Sequence, residues 1–253
     1  MRSRIVIPAR LASSRLPEKL LRKAGGKSVL QHTYESAMRS TMCDGIVVAV
    51  DDARLADEVA AFGGNAIMTR QSCPSGTDRI AEVAQQMPDV QIFVNVQGDE
   101  PEIDPAAIDL VTKTLVEHPD ASMATVAAPI RDQHLLADPS CVKIVMGASS
   151  SEGGRAIYFS RSEVPMSRDG DVEKLLHRDP PIYWHHLGLY AYRREFLQWF
   201  ASQSPSPLEQ VERLEQLRAI EAGKEIVVAR VDSAAPGIDT QEDFDRFVAS
   251  IES

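Results

Sequence analysis

The first 120 residues alternate short apolar runs with amphipathic segments, and this alternation is the strongest constraint on the fold. The apolar runs have the length of buried strands, and the segments between them have the length of helices. A β-α-β-α order predicts a parallel sheet with helices on both faces, joined by right-handed crossovers. The predicted strands are 4–9, 46–50, 66–68 and 92–96, and the predicted helices are 28–39, 53–62, 77–86 and 105–117.

The pattern after residue 120 is mainly strand-like. Strands are predicted at 122–128, 141–146, 156–159, 186–192 and 226–230, helices at 195–201, 208–221 and 241–251, and an irregular segment at 162–182. The interpretation is a single α/β domain over residues 1–253, built on a mostly parallel, doubly wound sheet. A mainly β insertion is expected at about 130–190.

The net charge of −10 argues against a general nucleic-acid binder, because binding to a phosphate backbone depends on Lys and Arg. The charge is unevenly distributed: residues 1–27 hold eight basic groups and one acid, which gives +7, so the remainder is −17. A cationic segment on an acidic protein favours a small polyanionic ligand, and a solvated basic surface explains it equally well.

The three cysteines, Cys43, Cys73 and Cys141, lie far apart in the sequence. No pair has metal-ligand spacing, and an odd number does not suggest a disulfide framework. A reducing compartment is the simple interpretation. The first apolar run is too short for a signal-peptide core or a membrane span, so a cytoplasmic protein without membrane insertion is expected.

The loop after the first predicted strand is rich in cations and small residues. Ser13 and Ser14 offer hydroxyls and amides, and the cations are Arg10, Arg15 and Lys19. Arg binds phosphate oxygens through a planar fork, and Lys binds them as a point charge. Ligands of open α/β sheets bind beyond the carboxyl ends of the strands, which makes this loop a candidate phosphate site. It lacks the spacing of a Walker A loop and of a dinucleotide-binding glycine motif.

Two aspartates are candidate metal ligands. Asp99 follows the predicted strand 92–96, and Asp239 precedes the last predicted helix. Mg²⁺ usually takes one or two carboxylates together with substrate phosphates. Each position also has a purely structural explanation, since an Asp after a strand is commonly a turn former and Asp239 or Thr240 could cap the helix.

Seven short motifs extend from the first strand to Asp243, over nearly the whole chain. They are Pro8-Ala9-Arg10 with Ser13-Ser14-Arg15-Leu16-Pro17 and Lys19, Ser75-Gly76-Thr77-Asp78-Arg79, Val96-Gln97-Gly98-Asp99-Glu100-Pro101, Tyr158-Phe159-Ser160-Arg161, His186-x-Gly188-x-Tyr190, Leu214-Glu215-Gln216-Leu217-Arg218, and Gly237-Ile238-Asp239-Thr240-x-Glu242-Asp243. Together they resemble the cytidylyltransferases that activate acidic sugars, and most specifically the 3-deoxy-manno-octulosonate cytidylyltransferase family. The chain departs from that pattern at Cys73-Pro74, where a histidine and a polar residue are expected.

The resemblance implies roles for the nucleotide side of the site. Arg10, Arg15 and Lys19 would hold the triphosphate of CTP, and Asp99 and Asp239 would bind Mg²⁺. The catalytic residues it implies are therefore Arg10, Arg15, Lys19 and Asp99. The implied nucleotide contacts are Ala9, Arg10, Ser13, Ser14, Lys19, Ser75, Gly76, Arg79 and Gln97. The turn at 75–78 is also an ordinary helix-capping sequence.

An acidic sugar needs a cation for its carboxylate and polar groups for its hydroxyls. The contacts implied by the resemblance are Arg161, His186, Tyr190, Glu215 and Gln216. Alternation along a strand puts His186, Gly188, Tyr190 and Tyr192 on one face. From the residues alone, His186 is more commonly a structural histidine, and Glu215 and Gln216 belong to the solvated face of a helix.

The family's reaction is an attack of the sugar's anomeric hydroxyl on the α-phosphate of CTP, with release of pyrophosphate. The resemblance further implies a homodimer joined through the insertion and a place in lipopolysaccharide synthesis. Two alternatives remain open. One is a cytidylyltransferase for another acidic sugar, such as a neuraminic acid or an amino-octulosonate, and the other is a nucleotide-binding protein without catalysis.

Overall fold

The computed structural model describes residues 1–13, 15–147, 153–234 and 236–252. The strands are Ser3–Ala9 (β1), Lys23–Ala24 (β2), Lys27–Ser28 (β3), Ile46–Val50 (β4), Ala66–Met68 (β5), Ile92–Asn95 (β6), Met123–Pro129 (β7), Lys143–Gly147 (β8), Gly153–Ser160 (β9), Trp184–Arg193 (β10) and Ile226–Arg230 (β11). The α-helices are Val29–Ala37 (α1), Ala53–Ala61 (α2), Gly76–Gln86 (α3), Pro105–Glu117 (α4), Gln133–Ala137 (α5), Val172–Leu176 (α6), Arg194–Ser202 (α7), Pro207–Glu212 (α8), Leu217–Glu221 (α9) and Gln241–Glu252 (α10). A short 3₁₀ helix covers Lys19–Leu21.

One large mixed sheet organises the chain. Over the described ranges it has nine strands in the order β5-β4-β1-β6-β10-β7-β11-β9-β8, and β2 and β3 form a separate small ribbon. The strands β5, β4, β1 and β6 are parallel, β7 and β11 are parallel to each other, and β10 runs antiparallel between β6 and β7. The predicted α/β class with a largely parallel sheet is confirmed.

Helices cover both faces of the sheet. One apolar layer contains Ile5 and Ile7 of β1 and packs under α1, α2, α4 and α10. The other contains Val6 and packs under α3, α7 and α9. The alternation of Ile5, Val6 and Ile7 between the two layers is the expected result of a strand buried on both faces. The doubly wound arrangement thus follows from the apolar runs of the sequence.

Local signals set most element boundaries. The side chain of Ser28 accepts a hydrogen bond from the amide of Gln31 and begins α1, as predicted. Gly63, at φ 76°, ends α2, where a left-handed residue is needed. Two short helices, α5 and α6, were not predicted, and α6 lies inside the segment expected to be irregular.

The predicted helix 208–221 is wrong in one respect. It is divided into α8 and α9 by Arg213, which has a left-handed backbone at φ 55°. The guanidinium of Arg218 in α9 forms two hydrogen bonds with the carboxylate of Glu209 in α8, at 2.7 and 2.5 Å. This pair fixes α9 on α8 at an angle that a continuous helix could not adopt.

The segment proposed as an insertion contributes strands to the main sheet. The strands β8, β9 and β10 all belong to it, and β8 pairs with β9 on one side and with the start of β10, at His185, on the other. Residues around α5 and α6 form a small apolar cluster of their own, which includes Ile130, Leu136 and Tyr183. Among the described helices, none has the length and apolar character needed to cross a membrane.

Candidate active site

A cavity of about 970 Å³ opens at the carboxyl edge of the parallel strands. The residues that follow β6 line one side of it. Because β10 runs antiparallel to β6, with Tyr190 opposite Asn95, the first half of β10 extends beyond the end of β6. His186, Gly188 and Tyr190 therefore reach the same edge as Gln97 and Asp99. This topology brings together motifs that are about ninety residues apart in the sequence.

Cations from the N-terminal loop meet the two aspartates at this edge. The ammonium of Lys19, which is 11% exposed at its side chain, bonds the carboxylate of Asp99 and lies 3.0 Å from Oδ1 of Asp239. The guanidinium of Arg15 lies 3.0 Å from the same oxygen of Asp239. The predicted convergence of loop and aspartates is thus observed between Arg15, Lys19, Asp99 and Asp239.

The loops that carry the aspartates are joined by backbone hydrogen bonds. The amide of Ile238 donates to the carbonyl of Asp99 at 2.9 Å. The hydroxyl of Thr240 accepts from the amide of Asp243, and the carboxylate of Asp243 accepts from the amide of Thr240. This reciprocal arrangement is a capping box. Thr240 therefore caps α10, and the carboxylate of Asp239 is left for the cavity.

The donor set at the two aspartates fits Mg²⁺. Both carboxylates bond the same ammonium, so their oxygens are close enough to share one cation. No cluster of three or more His, Cys, Asp or Glu side chains suited to a metal occurs within the described residues. A Mg²⁺ ion at this position would therefore need further oxygens from phosphate or water, which is its usual behaviour.

The buried side chain of Arg79 supports the N-terminal loop through Asp51. It is completely buried at the start of α3, and its guanidinium donates to the hydroxyl of Thr69 and lies 3.2 Å from Oδ2 of Asp51. The other oxygen of Asp51 accepts from the amide of Leu11 at 3.0 Å. Burial lowers the pKa of Arg79, and the neighbouring Asp51 opposes this shift. The nucleotide contact of Arg79 stays a prediction, because its side chain faces the core.

The other residues predicted to contact the nucleotide are divided between the cavity wall, the cap of α3 and the loop after β1. Ser75 caps α3 by accepting from the amide of Asp78, and Gly76 lines the cavity. The side chain of Gln97 lines it too and donates to the carbonyl of Gly188 at 3.3 Å. Ala9 is buried at the end of β1, Arg10 is exposed and Ser13 is partly exposed. Ser14 lies outside the described residues.

A row of rings forms the wall of the cavity on β10. The ring centroids of His186 and Tyr190 are 5.2 Å apart, and those of Tyr190 and Tyr192 are 5.5 Å apart. The shared face was predicted from alternation. It persists although β10 has two extra residues opposite β7 between Leu187 and Tyr190, because an even insertion preserves the alternation. Burial lowers the pKa of His186 to about 3 and raises that of Tyr190.

Glu215 and Gln216 enter the cavity from the break between α8 and α9. Gln216 is 6% exposed, and its amide nitrogen is buried without a hydrogen-bond partner among the described groups. A buried donor without a partner costs roughly 1–3 kcal/mol, so a ligand oxygen is the natural partner here. The interpretation of these two residues as a solvated helix face is wrong, because the helix ends before them.

Arg161 does not line the cavity in the described structure. Its guanidinium donates to the backbone carbonyls of Glu212 at 2.8 Å, Pro139 at 2.9 Å and Arg213 at 3.4 Å. The carboxylate of Glu212 in turn accepts from the amide of Arg161 and from the hydroxyl of Ser160. Arg161 thus holds the corner that presents Glu215 and Gln216, and its contact with a sugar stays a prediction.

The charged residues of the cavity that the sequence analysis missed include Glu100, Arg230 and Arg213. Glu100 lies beside Asp99, and burial together with that neighbour raises its pKa to about 8. Arg230 ends β11 and stacks on Trp184 at 4.7 Å. Its position at a strand end is the signal that could have identified it. Arg213 lies in the helix break, which no local pattern indicated.

Comparison with known proteins identifies the family. A cytidylyltransferase family model matches residues 4–226. The 3-deoxy-manno-octulosonate cytidylyltransferase of Rhodopirellula baltica is 62% identical over 253 residues, which is 100% of both chains. The one from Solibacter usitatus is 44% identical over 250 residues, which is 97% of this chain and 94% of the relative.

A solved structure gives the same result. It is that of CMP:2-keto-3-deoxy-manno-octonic acid synthetase complexed with CTP, which is 39% identical, has a TM-score of 0.90, and matches over 100% of this chain and 99% of the other. A similarity of this extent, in sequence and in structure, includes every loop that forms the cavity. The chain therefore belongs to the cytidylyltransferase family, among the 3-deoxy-manno-octulosonate cytidylyltransferases.

Proposed function

We propose that this protein transfers CMP from CTP to the anomeric hydroxyl of 3-deoxy-D-manno-octulosonate and releases pyrophosphate. The observation that carries the proposal is the composition of one cavity, in which a cluster of cations and carboxylates lies near polar groups suited to a sugar. The relatives named for this activity match the chain from end to end.

The cationic loop is the proposed site for the triphosphate. Arg15 and Lys19 now bond carboxylates, and phosphate oxygens would compete for the same N–H donors. Arg10 is exposed one residue beyond β1, where it is free to reach a ligand above the sheet edge. Charge builds up on the leaving pyrophosphate during the reaction, and fixed cations at that position stabilise it. We assign this role to Arg10, Arg15 and Lys19.

We further propose that Asp99 and Asp239 hold Mg²⁺ when CTP is bound. Two carboxylates that already share one cation support this, because Mg²⁺ takes few protein carboxylates and completes its shell with phosphate and water. When bound, the ion neutralises phosphate charge and polarises the phosphate that is attacked. Lys19 would then act on the phosphates rather than between the aspartates.

The opposite wall of the cavity is the proposed sugar site. The unpartnered amide nitrogen of Gln216 is a donor, and the carboxylate of Glu215 is an acceptor for hydroxyl groups. Tyr190 stays a neutral phenol because burial raises its pKa. The cations Arg213 and Arg230 also line the cavity and provide positive charge for an acid group.

The reaction is a substitution at the α-phosphorus of CTP. The anomeric oxygen of the sugar forms a bond to that phosphorus, the bond to the β-phosphate oxygen breaks so that pyrophosphate leaves with the bonding electrons, and the hydroxyl proton passes to water. The chain contributes mainly by holding both substrates in one orientation, which converts an encounter of two molecules into an intramolecular step.

We also propose that the enzyme works in the cytoplasm as a homodimer and supplies lipopolysaccharide synthesis. The family resemblance supports these points. For the dimer, the exposed side chain of Ile157 on β9, at 55%, lies within the segment 130–190. Light scattering of the protein tests the assembly, and a monomer at working concentration would contradict it.

The experiment that tests the proposed function measures product and pyrophosphate together. We expect equal amounts of CMP-sugar and pyrophosphate from CTP, Mg²⁺ and the octulosonate. Asp99→Asn should lose turnover by at least about a hundred-fold while its circular dichroism spectrum is unchanged. Asp120→Asn, at an exposed position after α4, is the matched control and should behave as the wild type. Full activity of Asp99→Asn would contradict the role of that residue.

A further inference from the structure

We propose that Thr125 fixes the tautomer of His186, so that Nδ1 of His186 faces the sugar site as an acceptor for a hydroxyl hydrogen bond. Thr125 is a positioning residue in this proposal, since it acts on the substrate only through His186. The proposal rests on the proposed function, because it specifies which group of the acidic sugar the histidine recognises.

The hydrogen bonds of Thr125 determine where its proton lies. Thr125 is completely buried in β7, and its hydroxyl oxygen lies 2.8 Å from the carbonyl of Leu189 and 3.3 Å from that of Leu187. Carbonyl oxygens only accept, so the single hydroxyl proton is used in this direction. The third neighbour of the hydroxyl oxygen is Nε2 of His186, at 3.1 Å. Because the hydroxyl has no second proton, Nε2 must carry the hydrogen of that bond.

The surroundings of His186 keep the ring neutral. The residue is 6% exposed, its ring packs against Phe159 at 4.9 Å and Tyr190 at 5.2 Å, and its sequence neighbour His185 adds positive charge when protonated. Burial is the main cause that lowers its pKa, and His185 is the second. Among the described residues, no carboxylate offsets this effect at the ring.

A neutral imidazole that is protonated at Nε2 has an unprotonated Nδ1. Within the described part of the chain, Nδ1 of His186 has no hydrogen-bond partner, and His186 lines the cavity. An unprotonated ring nitrogen accepts a hydrogen bond from a hydroxyl but repels a carboxylate. His186 therefore recognises a hydroxyl of the sugar, and the acid group must lie elsewhere in the cavity.

The same hydroxyl holds the irregular backbone of β10. Its two carbonyl partners, Leu187 and Leu189, flank Gly188 at the point where β10 has two extra residues opposite β7. The carbonyl of Gly188 accepts from the side chain of Gln97. Thr125 thus fixes both the backbone around Gly188 and the ring of His186.

The first test measures the tautomer in the protein alone. The protein is labelled with ¹⁵N-histidine, and the ring signals of His186 are identified by their absence in His186→Gln. We expect a neutral ring with a proton on Nε2 near neutral pH. A proton on Nδ1, or a charged ring, would overturn the proposal. This result does not depend on turnover, so a failure of the proposed function remains distinguishable from a failure of the tautomer assignment.

The second test compares Thr125→Val, which keeps the shape without the hydroxyl, with Thr125→Ser, which keeps the hydroxyl. We expect Thr125→Val to lose the single tautomer and to raise KM for the octulosonate roughly ten-fold, with a smaller effect on KM for CTP. Thr125→Ser should retain the tautomer and recover most of the affinity. A merely structural role for Thr125 would lower thermal stability without this difference between the two KM values. Equal increases in both, or a wild-type tautomer in Thr125→Val, would overturn the proposal.

Discussion

The buried pair between Arg218 and Glu209 should determine both stability and sugar binding. Their side chains are 6% and 10% exposed, and two hydrogen bonds join them. The guanidinium also stacks on Phe200 at 3.8 Å and donates to its carbonyl at 3.2 Å. Arg218→Ala leaves the carboxylate of Glu209 buried without its cation and frees α9 from α8.

The expected cost is about 3–5 kcal/mol, which is the usual result when one partner of a buried pair is removed. The unfolding entropy near the midpoint is about 2.1 cal/mol/K per residue, or about 0.5 kcal/mol/K for a chain of this length. The midpoint of thermal unfolding should therefore fall by about 6–9 °C. Since Gln216 directly precedes α9, KM for the sugar should rise while KM for CTP changes little.

Calorimetry and steady-state kinetics measure these two effects. The matched control is Lys113→Ala, which breaks an exposed pair with Glu117 at 3.7 Å and should cost less than about 1 kcal/mol. The double variant Glu209→Gln/Arg218→Met should be more stable than Arg218→Ala, because no buried charge is left alone. A midpoint for Arg218→Ala equal to that of the Lys113→Ala control would show that the buried pair does not stabilise the fold.

Two further predictions concern His186 and Arg161. The pKa of His186 is depressed from 6.5 to about 3, so as the pH falls below about 6.5 the unfolded chain takes up the proton first. The free energy of unfolding of the wild type should thus fall by about 2 kcal/mol more than that of His186→Gln between about pH 7 and about pH 5. Parallel pH dependence of the two proteins in urea unfolding would contradict this. For Arg161→Lys, we expect about 1–3 kcal/mol lower stability in the same assay, because the fork to three backbone carbonyls is lost. Wild-type stability would show instead that Arg161 acts only on ligands.

The layered α/β core was predictable because each of its strands is an apolar run that can be recognised in the sequence alone. Ile5, Val6 and Ile7 alternate between two apolar layers, and a run of this kind has few alternatives in a chain of this length. Asp99 and the cations Arg15 and Lys19 were predictable as neighbours, since strand ends of a parallel sheet meet at one edge.

The remaining features depend on contacts between distant residues. The apolar stripe at 208–221 indicates one helix, and the break at Arg213 is stabilised by Arg161, about fifty residues earlier. The apolar stripe also predicts the wrong buried residues, because the side chain of Val211 is 81% exposed. Arg79 was predicted to contact the nucleotide because it follows a motif turn. Its guanidinium instead pairs with Asp51, which follows strand β4, and this pair holds the side chain in the core. Local periodicity contains no information about either partner.

Release of pyrophosphate from CTP and Mg²⁺, measured in parallel with 3-deoxy-D-manno-octulosonate and with N-acetylneuraminate, tests the proposed function most directly. We expect release with the octulosonate and none above background with the neuraminate. Tight binding of CTP without release in the presence of the octulosonate would contradict the proposed function.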